Sequence, residues 1–135
     1  MRRRGRALVA LAVALAAVAV AGCGRDDFEN DPRPPLPAEV SIEIGEDEVV
    51  VSPAEFGAGL VNFTIANLGD TEASVAIDGP TTAESDDVAP GGTTILKTEV
   101  VTGDYEASAL GTEATPFEFE VGPERSSAQD DLLLP

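Results

Sequence analysis

Short segments that alternate apolar and polar residues, separated again and again by turn-forming residues, limit this chain to a β fold. Val40, Ile42 and Ile44 alternate with Ser41 and Glu43, and Val61, Phe63 and Ile65 with Asn62 and Thr64. A period of two puts one set of side chains on a buried face and the other in water, as in a half-buried strand. The same pattern carries Val75 and Ile77, then Tyr105, Ala107 and Ala109, then Phe117, Phe119 and Val121, with Val49 to Val51 and Thr93 to Val101 as further candidates. Turns fall at Gly45, Pro53, Gly57, Gly59, Asn67 to Asp70, Asp78-Gly79-Pro80, Pro90-Gly91-Gly92 and Gly103-Asp104, where glycine, proline, asparagine and aspartate supply the required backbone angles. After the N-terminal segment no stretch has an amphipathic helical period. About seven to eight short strands within one domain imply an antiparallel β-sandwich or small barrel. Its inward residues should include Phe63, Ile65, Val75, Ile77, Tyr105, Phe117, Phe119 and Val121.

The N-terminus obeys a different logic. Arg2, Arg3, Arg4 and Arg6 precede an unbroken apolar run of 15 residues, Ala7 to Ala21, which ends in Gly22 and Cys23. A bilayer-spanning helix needs roughly 20 apolar residues, so the run fits the core of a secretory signal better than an anchor helix. Val20-Ala21-Gly22-Cys23 resembles a prokaryotic lipobox. The resemblance implies a signal peptide over residues 1–22, cleavage before Cys23, lipidation of Cys23 and a protein held at the extracytoplasmic face of the cell membrane. Cys23 is the only cysteine, and a lone thiol in an exported chain calls for a reason of this kind. An ordinary signal cleaved after small residues is the competing expectation. The arginine cluster also partly resembles a twin-arginine export signal, without the residues that usually follow.

Loss of residues 1–22 would remove four of the eight basic residues and none of the 25 acidic ones, which leaves a net charge of −21. Such a surface repels nucleic acid and anionic headgroups, so the expected partners are the membrane, reached through lipid on Cys23, and an extracytoplasmic protein or small molecule. Residues 23–37 are rich in charge and proline, with Pro34, Pro35 and Pro37 near the end. That composition is expected to form a disordered, semi-extended stalk. Gly122-Pro123 stops the last strand pattern and leaves residues 123–135 as an expected flexible tail.

Within residues 38–122 the chain resembles the cupredoxin-like Greek-key sandwiches of secreted copper proteins. The likeness lies in VVVSPAEFGAGLVNFTIANLGDTEASVAIDG and VAPGGTTILKTEVVTGDYEASA, with Asn67-Leu68-Gly69 closing one strand, a Pro90-Gly91-Gly92 turn, and Gly103-Asp104-Tyr105 opening another. These are turn and core motifs, and they imply a fold. Immunoglobulin-like and fibronectin-like sandwiches share the alternation and are the structural alternative.

The resemblance stops at the metal. A blue-copper site requires two imidazoles and a thiolate, usually with a thioether, whereas this chain has no histidine, one cysteine at the lipidation position, and one methionine, Met1. Where the family's first ligand histidine would fall stand Glu72, Ala73 and Ser74. After Tyr105 the chain runs Glu106-Ala107-Ser108-Ala109-Leu110 and then Gly111-Thr112-Glu113-Ala114-Thr115, a plain turn in place of the ligand loop. Type 1 copper electron transfer is excluded by this inventory, and no cofactor is expected.

Other polar groups form no catalytic motif. Glu84, Asp86 and Asp87 are a possible oxygen-ligand cluster for calcium, but they lack EF-hand spacing. Glu46-Asp47-Glu48 sits at an expected hairpin turn, and Glu118 and Glu120 on the solvent side of a strand. Ser52, Ser74, Ser85 and Ser108 have no histidine to activate them, and Lys97 is the only lysine. Asn62-Phe63-Thr64 matches a glycosylation sequon by letter but reads as an outward strand residue. The expected function is that of a non-enzymatic binding or accessory module; a metal-handling protein that uses carboxylates is the alternative.

Overall fold

The computed structural model describes residues 34–126. The expected signal peptide, Cys23, most of the stalk and residues 127–135 lie outside the described residues. Nine strands follow in order: β1 (Ala38–Ile44), β2 (Val49–Ser52), β3 (Glu55–Gly57), β4 (Gly59–Asn67), β5 (Ser74–Asp78), β6 (Ala83–Glu84), β7 (Thr93–Val100), β8 (Gly103–Leu110) and β9 (Phe117–Gly122). They form two sheets, one ordered β2-β1-β4-β7 and the other β3-β9-β8-β5-β6. The protein is an all-β sandwich, as the alternation required.

Burial follows the period of two closely. In β1 Val40, Ile42 and Ile44 are buried while Ser41 and Glu43 are exposed, and β4 buries Val61, Phe63, Ile65 and Asn67. The two inner faces meet in one core, with Phe63, Ile42, Ile44, Ile65 and Ile77 among its fully buried side chains. Four aromatic rings cluster within it. Phe119 stacks on Tyr105 at 5.5 Å and on Phe56 at 5.7 Å, and meets Phe63 edge-on at 6.3 Å.

Four features depart from the sequence expectation. The sheets are mixed rather than wholly antiparallel, because β1 runs parallel to β4 and β3 parallel to β9. β2 returns antiparallel beside β1, the chain then crosses to the other sheet as β3, and it comes back as β4 on the free side of β1, running the same way. Pro53 marks the crossing, since a residue without an N–H cannot extend a ladder. The strand count is nine rather than seven or eight because the crossing divides β2 from β3 and because β6 is a two-residue strand beside β5. Gly57 and Gly59, expected in turns, are strand residues, and Phe117 is only partly buried.

The registers define two ends. The starts of β1 and β4 and the end of β7 lie together, and short connections join them to the end of β3 and the start of β8, which lies beside the end of β9. This is the linker end, since residues 34–37 enter there. The turns after β1, β4 and β8 and the turn before β7 gather at the far end.

Candidate functional site

The far end is organised by Asn67, whose side chain is fully buried. Its Nδ2 donates to Thr71 O at 2.7 Å and to Val88 O at 2.8 Å, and its Oδ1 accepts from Gly69 N at 3.0 Å. Its backbone is bonded on both sides as well, with N donating to Gly92 O at 3.0 Å and O accepting from Gly91 N at 2.8 Å. One residue thus ties together the turn after β4, the segment before β7 and the Pro90-Gly91-Gly92 turn. A buried amide is stable only when its donors and acceptor are matched, and here all are. The sequence marked Asn67 as a turn residue and gave no sign of this role.

Close to Asn67 in sequence lie Glu72, Ala73 and Ser74, the stretch where the resemblance implied a first ligand histidine. Ala73 is buried and forms an isolated bridge with Val88, Ser74 is buried beside it, and Glu72 points to solvent. Ala109 and Ala114 are buried, and the turn between them is fixed by Thr115 N donating to Asp47 O at 2.8 Å and Val49 N donating to Thr115 O at 2.9 Å. The far end is closed by packing and main-chain hydrogen bonds, with a shallow depression of about 370 Å³ between Gly45, Thr71 and Thr112.

A larger groove of about 630 Å³ lies on the outer face of the five-stranded sheet, beside Tyr105 and Phe119. Six carboxylates surround it in two rows. Glu55 stands opposite Glu120, which stands opposite Asp104; Glu106 stands opposite Glu118 on one side and Asp78 on the other. Like charges directly opposed across strands destabilise a sheet. Glu118 and Glu120 take the solvent-facing positions that the alternation gave them.

The remaining candidates are dispersed. Glu84 lies on β6, with Asp86 and Asp87 exposed beyond it. Among the described residues no three acidic, cysteine or histidine side chains are arranged to hold a metal ion. Ser85 continues the sheet: its N donates to Val75 O, its Oγ accepts from Val75 N, both at 2.9 Å, and its Oγ donates to Asp86 O. Lys97 is on the four-stranded sheet opposite Asn62, whereas Ser74 and Ser108 belong to the other sheet. Ser52 ends β2, with β1 and β4 between it and β7. Asn62 faces outward and donates to Glu39 Oε1 at 2.7 Å.

At the linker end two further residues do structural work. The Tyr105 hydroxyl donates to Val101 O at 3.0 Å, accepts from Val101 N at 3.2 Å and lies 2.9 Å from Thr81 Oγ1. Gly79 lets the Tyr105 ring approach, since a Cβ there would collide with it. Arg125 falls in the expected tail, yet its guanidinium is docked: Nε donates to Gly57 O at 3.1 Å, Nη1 to Leu36 O at 2.6 Å and Nη2 to Leu60 O at 2.7 Å. It joins the incoming linker, β3 and β4 to the segment that follows β9. The flexible tail expected from residue 123 therefore starts with residues fastened to the domain.

No family model matches the chain, and no curated protein matches it. Among solved structures it is similar to a chain in the cryo-EM structure of a heme-copper terminal oxidase dimer, at 15% identity over 87% of this chain and 95% of that one, with a TM-score of 0.45. At that score the likeness carries no argument about function. The chain is established as an all-β sandwich of two mixed sheets.

Proposed function

We propose that this chain is a lipid-anchored, extracytoplasmic, non-enzymatic binding or accessory module, a cupredoxin-like sandwich without a copper site. The observation that carries the non-enzymatic part is that, among the described residues, the buried polar side chains are Asn67 and Ser74, together with Tyr105, whose hydroxyl is taken up by Val101 and Thr81. Acid–base and nucleophilic catalysis rely on ionisable groups held in a partly desolvated cleft. Among the described residues every acidic side chain is exposed, and Asn67 is wholly used in joining backbone segments. The anchoring part rests on the basic and apolar N-terminus that ends at Cys23. The turn motifs around Asn67, Pro90 and Gly103 support the cupredoxin-like assignment. Carboxylate-based metal handling gains no support from Glu84, Asp86 and Asp87, which among the described residues are not arranged to hold a metal ion.

Two acyl chains hold a protein on a bilayer, whereas a single chain does so only marginally. The wild-type chain should therefore partition into the detergent phase and sediment with membranes. Cys23→Ser should appear in the aqueous phase or persist as uncleaved precursor. Equal partition of the two proteins would refute lipid anchoring through Cys23.

A further inference from the structure

β7 is an edge of the four-stranded sheet, with β4 on one side and no strand of this chain on the other among the described residues. Which of its backbone groups are open follows from the turn that precedes it. The β4–β7 register pairs Ala66 with Thr93, so Asn67 and Gly92 are the next pair of that ladder, and Asn67 N donates to Gly92 O at 3.0 Å. Hydrogen-bonded pairs recur at every second residue of an antiparallel ladder. Thr94, Leu96, Thr98 and Val100 consequently turn their N–H and C=O toward β4, while Thr93, Ile95, Lys97 and Glu99 turn theirs to the open edge. The Thr81 hydroxyl reaches Glu99 O from outside the sheet, at 3.5 Å, in accord with this.

The side chains of Ile95, Lys97 and Glu99 stand on the outer face, and Ile95 is 67% and Val101 48% exposed. Charge is distributed unevenly around the sandwich. β4 and β7 together carry one acidic residue, Glu99, and one basic residue, Lys97, whereas the outer face of the other sheet carries the two rows of carboxylates. Two copies of so acidic a chain repel one another least where acid is absent.

We infer that β7 pairs antiparallel with β7 of a second copy of this chain, about a twofold axis at Thr98, to make one continuous sheet across the two. In that register Lys97 of each copy stands opposite Glu99 of the other, and Ile95 opposite Val101. Apolar meets apolar and opposite charges meet, the arrangement that favours cross-strand pairs. Moving the axis by one residue toward the start of β7 sets Lys97 against Lys97, and moving it by one residue toward the end sets Glu99 against Glu99. The Lys97–Glu99 pairs exchange backbone hydrogen bonds along this edge, the second copy's Lys97 N–H displacing the Thr81 hydroxyl from its 3.5 Å contact with Glu99 O. Val101 adds side-chain contact only, because the Tyr105 hydroxyl holds both its N–H and its C=O. A lysine in mid-edge ordinarily deters strand addition, and here Glu99 of the second copy neutralises it. The interface is isologous and closed, so it stops at two copies.

Sedimentation of the full chain in density-matched detergent over a range of protein concentrations tests this. A reversible monomer–dimer equilibrium is expected. Lys97→Glu should loosen it roughly tenfold by turning both attractive pairs into repulsive ones, and Lys97→Glu with Glu99→Lys should restore it. A monomer at all concentrations would overturn the inference and make Lys97 a guard of the edge. A dimer indifferent to Lys97→Glu, or one not restored by the exchange, would overturn the register.

Discussion

Asn67 holds the far end together, and its substitution separates hydrogen bonding from packing. Asn67→Ala leaves the carbonyls of Thr71 and Val88 and the N–H of Gly69 without their partner. Each buried group left unmatched costs about 1 to 3 kcal/mol, so the substitution should lower unfolding free energy by about 2 to 4 kcal/mol in urea titration. Asn67→Asp should be worse than alanine, since it keeps the acceptor for Gly69 but sets a carboxylate against two carbonyl oxygens. A variant with aspartate as stable as wild type would contradict the assigned orientation of the amide. Neither Asn67 nor Arg125 was legible in the sequence as an organising residue. Asparagine before Leu68-Gly69 is an ordinary turn signal, and an arginine between glutamate and serine near a terminus looks solvated. What makes each important is backbone brought from distant positions, Val88 in one case and Leu36, Gly57 and Leu60 in the other.

At the scale of elements, β9 shows how far the period of two reaches. Its alternation correctly turned Phe119 and Val121 inward and Glu118 and Glu120 outward. Phe119 sits among Phe56, Phe63 and Tyr105, whereas Phe117, first in the strand, is covered only in part. Phe119→Ala should therefore cost about 3 to 5 kcal/mol, and Phe117→Ala clearly less, in the same denaturation measurement. Equal losses would show that the strand's buried end had been misplaced. The long strands β1, β4, β7 and β8 were legible because each has enough turns of the pleat to display its alternation. β3 and β6 were not, since two or three residues cannot express a period and are held as strands by β9 and β5. Strand direction was also hidden, because parallel and antiparallel neighbours bury the same side of a strand.

The whole molecule is dominated by charge and by its two unlike ends. The opposed carboxylates of Glu55, Glu120 and Asp104 and of Glu118, Glu106 and Asp78 oppose folding at low ionic strength. Salt screens such repulsion within about 10 Å at 0.1 M, so the melting temperature should rise as sodium chloride is added. A melting temperature that falls with salt would mean that attractive pairs outweigh this repulsion. The linker enters where Arg125 grips Leu36 O, and the turns gathered by Asn67 lie at the opposite end. The proposed address at Cys23 is more legible in the sequence than any partner, because an address is a linear motif and a binding face is assembled from loops. The central claim is tested most directly by mass spectrometry of the N-terminal peptide of the chain purified from its native membranes. The account predicts a peptide that begins at Cys23, lacks residues 1–22 and carries acyl groups on that residue. A peptide that retains residues 1–22, or one with an alkylatable Cys23 thiol, would contradict it.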